Sequence, residues 1–185
     1  MAISEQDSPF RVAVLGSLSL TTADGVAVTP ASGRIRRLLA ALVVEGGNVV
    51  SVDRLAEVIW GEDQPVDAPA GVQTLISRLR RQLPDTGVQL LTRAPGYRLQ
   101  IEDDALDAQR FARLVAQARA CRSSDPGEAG DLLTAALGLW RGAAYAEFAD
   151  QPFARAEAAR LEELRSAAAQ DQIEAWLAIG RADTA

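Results

Sequence analysis

The chain has 185 residues, a hydrophobic fraction of 48% and a formal net charge of −6. That length buries a sizeable core in one large or two small domains, and no run of about 18 apolar residues offers a membrane span. Histidine and lysine are absent and Cys121 is the sole cysteine, which removes imidazole bases, Ser–His pairs, the common zinc sites and any internal disulfide.

Residues 1–9, MAISEQDSP, are polar and lack the basic-then-apolar order of a signal peptide. They read as a flexible leader on a cytoplasmic protein. FRVAVLGSLSL at 10–20 is rich in strand formers. VAVTP at 26–30 is a second short strand, reached through the turn signal Ala23-Asp24-Gly25. A helix is expected from Ser32, an N-cap candidate. Ile35, Leu38, Leu39, Leu42 and Val43 make its apolar stripe, and Gly46-Gly47 ends it. Ser51 caps the next helix, VDRLAEVIW, with Leu55, Val58 and Ile59 facing inward.

The loop EDQPVDAP leads to a third helix over about residues 68–83, stopped by Pro84. VQLLT and GYRLQI then flank Arg93-Ala94-Pro95-Gly96 as a β-hairpin, with Gly96 expected to supply a positive φ. IEDDALD at 101–107 is a composition shift and a boundary. Beyond it the pattern is helical. Phe111, Leu114, Val115 and Ala118 form one stripe. Leu132, Leu133, Ala136, Leu137 and Trp140 form a second, ended by Arg141-Gly142. A long helix follows from about Pro152 to Leu177, with Leu161, Leu164, Ala168 and Trp176 buried. Trp140, Trp176, Phe148 and Phe153 read as core. Consecutive short helices with Ala and Leu contacts suggest tetratricopeptide-like hairpins. GRADTA looks like the start of another turn and helix, so the native chain is expected to continue beyond Ala185.

Charge is segregated. Residues 10–101 carry a net of +2 and residues 102–185 a net of −6. Within residues 68–101 there are 5 arginines against one acid. The third helix, GVQTLISRLRRQL, concentrates this charge. Val72, Ile76, Leu79 and Leu83 share one narrow apolar face, with Leu75 at its edge. Gln73, Thr74, Ser77, Arg78 and Arg81 lie opposite and Arg80 flanks them, with no acid among them.

Arginine can donate a pair of hydrogen bonds to guanine, Gln can pair with adenine, and Thr can meet phosphate or a thymine methyl. A solvated amphipathic helix accounts for the same pattern. Two further features favour nucleic acid. Arg93 stands at the hairpin tip, where it can enter a minor groove. Arg34, Arg36 and Arg37 open the first helix, where amides and guanidiniums suit phosphate. An adapter that binds protein through both halves is the competing reading. No P-loop, GxGxxG or carboxylate cluster occurs, so neither an enzyme nor a cofactor is expected.

The order GRIRRLLAALVVEGGNVVSVDRLAEVIWGED, VQTLISRLRRQL, LLTRAPGYRL resembles the OmpR-type winged helix. DALDAQRFARLVAQAR, LWRGAAYAEFADQPFARAEAARLEELR and EAWLAIGR resemble the bacterial transcriptional activator domain. Together they resemble the Streptomyces antibiotic regulatory protein (SARP) family. The resemblance implies an α+β winged helix-turn-helix over 10–101, then an all-α tetratricopeptide-like domain over 105–185, shorter than is usual for the family. It implies a sequence-specific activator on double-stranded DNA, binding direct repeats as side-by-side protomers and recruiting RNA polymerase holoenzyme.

Thr74 and Arg78, with Gly71 nearby, match base-reading positions. Gln73, Ser77, Arg80 and Arg81 would lie near phosphates, with Arg34, Arg36 and Arg37. Arg93 matches the wing arginine of the minor groove. Leu75 departs from the family, where several relatives carry a basic or polar residue. No receiver domain precedes the winged helix, so phosphoryl-aspartate control is not expected. The acidic second half should repel DNA and turn the winged helix toward it.

Overall fold

The computed structural model describes residues 12–21, 25–30, 32–83 and 87–180. The expected leader, the Ala23-Asp24 part of the turn signal, Pro84 and residues 181–185 lie outside the described residues. The architecture is a mixed α+β winged helix-turn-helix followed by a helical half.

Of the stretch 10–20, expected as one strand, residues 12–20 fold back on themselves. β1 (Val12–Ala13) pairs antiparallel with β2 (Ser19–Thr21), Val12 opposite Leu20, and β2 pairs in turn with β3 (Ala27–Val28). The fold-back occurs at Gly16, whose φ of 149° few other residues adopt. The tertiary reason is that residues 14–16 bond to the far half of the chain. The carbonyls of Val14, Leu15 and Gly16 accept from the amides of Tyr145, Arg141 and Ala146 at 2.8, 2.8 and 3.1 Å.

Three helices follow: α1 (Gly33–Val44), α2 (Val52–Trp60) and α3 (Ala68–Arg80). Most of the predicted stripes are buried: Ile35, Leu38, Leu39, Leu42 and Val43 on α1, Leu55 and Ile59 on α2, Val72, Ile76 and Leu79 on α3, while Val58 and Leu83 are half-buried against the same core. Ser32 occupies the N-cap position of α1, but its side chain makes no capping bond. Ser51 does cap α2, accepting from Arg54 N at 3.1 Å, and Asp67 caps α3, accepting from Ala70 N at 2.9 Å.

The wing is β5 (Val88–Arg93) and β6 (Gly96–Ile101). It lies in an antiparallel sheet ordered β4–β6–β5 with β4 (Val50–Ser51). Gly96 does not have the expected positive φ among the described glycines. Glycine is required for a different reason: a Cβ there would lie 1.8 Å from the Val50 carbonyl oxygen.

The helical half comprises α4 (Asp107–Cys121), α5 (Pro126–Leu137) and α6 (Arg155–Ala178). α5 ends before the expected Arg141-Gly142, because that segment bonds to residues 14–16 instead of continuing the helix. α5 and α6 approach closely at Gly130, where a Cβ would meet the Trp176 ring at 2.7 Å. Trp176 and Phe148 are buried. Trp140 and Phe153 are half-buried against the core, Trp140 edge-on to Phe111 at 5.3 Å and Phe153 tilted on Phe148 at 5.8 Å.

The two halves are joined through Asp107, only 1% exposed. Its carboxylate accepts from Val14 N at 2.8 Å, from Leu15 N at 3.0 Å and from Arg141 Nη2 at 3.1 Å. Burial pushes its carboxyl above the ordinary 3.8, while the two amides and the guanidinium pull in the other direction.

Candidate nucleic-acid interface

α3 is held from below by Val72, Leu75, Ile76 and Leu79, all buried. Leu75, at the stripe's edge in projection, is therefore part of the anchor. Gln73, Thr74, Ser77, Arg78, Arg80 and Arg81 are exposed on the outer side. Thr74 Oγ1 donates to Ala70 O and Ser77 Oγ to Gln73 O, each at 3.0 Å. Both hydroxyl protons are thus turned back onto the helix. Thr74 is exposed, with a methyl and an acceptor oxygen, groups that suit a thymine methyl or a base donor.

Arg78 and Arg81 make no ion pair among the described residues, so their guanidiniums carry uncompensated charge. Arg78 sits in the last turn of α3, where the helix dipole favours a cation.

Arg93 is exposed at the end of β5, its Nη1 donating to Thr92 O at 3.2 Å. The turn that carries it is tied to α2, since Val52 N donates to Pro95 O at 3.3 Å. The tip is therefore held against the helix-turn-helix by the backbone.

Three groups of the expected contact residues have partners within the chain. Gly71, expected near the bases, has a packing role: a Cβ there would meet Trp60 Cη2 at 2.9 Å, so glycine lets α2 and α3 close together. Arg80, expected at a phosphate, turns its guanidinium to the wing. Nε and Nη2 both donate to Leu90 O at 3.1 and 3.0 Å, and Nη2 also to Thr92 Oγ1 at 2.9 Å.

The α1 arginines divide. Arg36 Nη1 donates to Pro30 O at 3.0 Å. Its Nε lies 2.8 Å from Glu147 Oε2, an ion pair in which the N–H does not point along the contact. Arg37 Nη1 donates to Ile59 O at 3.3 Å. With Arg34, Trp60, Asp63 and Phe148 they line an open cavity of about 660 Å³, to which neither α3 nor the wing contributes. Arg36 thus braces the two halves, and Arg34 is the exposed member of the three.

Sequence reasoning missed Asp107, Glu147 and the engagement of Arg80. The signal for Asp107 was present: an acid one helical turn before the Phe111–Ala118 stripe is a typical helix-start residue. Among the described residues no group of three or more Cys, Asp or Glu could hold a metal ion, and no helix is long and apolar enough to cross a membrane.

Comparison with known proteins bears on this geometry. Residues 28–99 match the family "Transcriptional regulatory protein, C terminal", and residues 106–185 match "Bacterial transcriptional activator domain". Transcriptional regulator RedD of Streptomyces coelicolor is 33% identical over 176 residues, covering 92% of this chain and 50% of RedD. Both matched domains, in the same order, thus recur along a regulator of known class. The chain belongs to the SARP-type regulators. Another relative of this SARP-type chain, regulatory protein AfsR of S. coelicolor, is 37% identical over 89% of the chain and 16% of AfsR. A solved structure of Mycobacterium tuberculosis EmbR, in complex with a low-affinity phosphopeptide, superposes with a TM-score of 0.82. It is 33% identical and covers 94% of this chain and 47% of EmbR. The SARP-type chain therefore spans about half the length of RedD and EmbR. RedD and EmbR are transcriptional regulators.

Proposed function

We propose that the chain is a sequence-specific DNA-binding activator, with α3 in the major groove and the wing in the adjacent minor groove. The observation that carries this reading is the outer face of α3: Thr74, Arg78 and Arg81 are exposed, no acid shares the face, and neither arginine is paired among the described residues. Thr74 and Arg78 read base edges. Gln73, Ser77 and Arg81 meet phosphates, with Arg34 as an outlying contact, and Arg93 enters the minor groove.

The winged helix takes residues 10–101 and the activator half 105–185. The negative charge of the second half keeps it off the duplex. Its surface is then free for a neighbouring protomer on a direct repeat and for RNA polymerase holoenzyme, in the cytoplasm at the nucleoid.

Selection of bound sequences from a random DNA pool tests the reading. A repeated motif should emerge. Arg78→Ala should then lose about 1–3 kcal/mol of specific binding and relax one base position. Arg81→Ala should weaken all sequences alike and reduce the salt slope by about 1. Recovery of no motif, or an Arg78→Ala variant that binds the selected site as tightly as the parent, refutes it.

A further inference from the structure

We infer that Arg80 is a positioning residue that fixes the wing relative to the recognition helix, and that it acts on DNA through Arg93. The inference rests on the reading of the chain as a DNA-binding protein. β5 is an edge strand, because the sheet runs β4–β6–β5. One side of its backbone has no strand partner, and such a side must find other donors or stay wet. At Leu90 the donor is Arg80, whose Nε and Nη2 converge on one carbonyl oxygen at 3.1 and 3.0 Å.

The same Nη2 reaches Thr92 Oγ1 at 2.9 Å, one residue before Arg93. Thr92 lies opposite Tyr97 in the ladder, and the Arg80 guanidinium sits 6.0 Å from the centre of the Tyr97 ring. Both strands of the wing are therefore touched by one side chain rooted in the last turn of α3.

Three N–H bonds of a planar fork define an orientation that a single point charge cannot. A side chain so engaged spends most of its donors inside the protein. Its consequence for DNA is the angle between the two elements that enter adjacent grooves. Arg78 and Arg93 reach their grooves together only if the wing keeps its pose on α3. Arg80 sets that pose.

The test uses the full chain, first without DNA. Hydrogen exchange should accelerate about 10-fold or more at the wing amides in Arg80→Ala, and less in Thr92→Val, which keeps every charge. Arg80→Lys should not restore protection, because an ammonium lacks the fork. On the selected site, Arg80→Ala and Arg93→Ala should each cost about 10-fold. The double variant should lose little more than either alone, the non-additivity expected of a coupled pair.

A direct phosphate contact would behave otherwise: exchange unchanged, losses multiplying to about 100-fold, and a salt slope lowered by about 0.9 in Arg80→Ala whatever stands at position 93. Those results would overturn the inference. If the parent chain selects no DNA, the functional reading fails, while the exchange data still decide whether Arg80 holds the wing.

Discussion

Asp107→Ala removes the acceptor that joins the amino-terminal sheet to the helical half. Val14 and Leu15 are both fully buried, and their amides bond to that carboxylate at 2.8 and 3.0 Å. Each buried donor left without a partner costs about 1–3 kcal/mol, so the two together cost about 2–6 kcal/mol. Two effects reduce or add to this. Burial already disfavours the ionised carboxylate, and its removal returns part of that penalty. The Arg141 side chain is 45% exposed, so losing its partner adds at most about 1 kcal/mol. The net expectation is a loss of about 3 kcal/mol of stability.

Urea unfolding followed by tryptophan fluorescence measures it, with Trp60 reporting the first half and Trp140 and Trp176 the second. The parent should unfold in one transition. The variant should show a lowered midpoint, with the Trp60 signal separating from the other two. Arg141→Ala should cost about 1 kcal/mol. If Asp107→Ala loses less than about 1 kcal/mol, the carboxylate does not hold the halves together and the reasoning is wrong.

The same group sets a pH dependence. Because the folded carboxyl is raised above 3.8, the folded chain retains a proton that the unfolded chain has released. This contribution is fully present below 3.8 and is lost as pH rises through the folded value. The stability of the parent relative to Asp107→Asn should therefore fall across that range, and Arg141→Ala should carry the fall to higher pH. A flat difference across urea titrations at stepped pH would contradict the sign.

Gly96→Ala places a methyl 1.8 Å from the Val50 oxygen and 2.8 Å from Ser51 Cα. Both are backbone atoms that cannot swing aside, so about 3 kcal/mol, the upper end of overpacking, is expected. Thermal unfolding and amide exchange at Val50 and Tyr97 would read it. In Gly130→Ala the gain of about 1 kcal/mol in helix propensity is opposed by a methyl 2.7 Å from the Trp176 ring. The clash should win by about 1–2 kcal/mol and shift the tryptophan emission, and a stabilised variant would show that α6 yields freely.

Much of the architecture was legible locally. The stripes Ile35–Val43, Val72–Leu79 and Phe111–Ala118 are buried as read, because a helix brings residues three and four apart onto one face whatever surrounds it. The two strands of the wing follow from the same kind of local signal. The outer face of α3, with Thr74, Arg78 and Arg81, follows as the complement of its stripe.

Which arginines remain available was not local information. Arg78, Arg80 and Arg81 are near neighbours in sequence, yet only Arg80 has Leu90 O within reach, and only the packed wing puts that oxygen there. Arg36 meets Glu147 and Asp107 meets Val14 across about half the chain or more. Gly71 and Gly96 owe their identity to Trp60 and Val50. Periodicity is a property of one segment, so the residues alone determine which face is buried. A hydrogen bond or a steric limit needs a second atom a few ångströms away, and for these residues only tertiary packing supplies it.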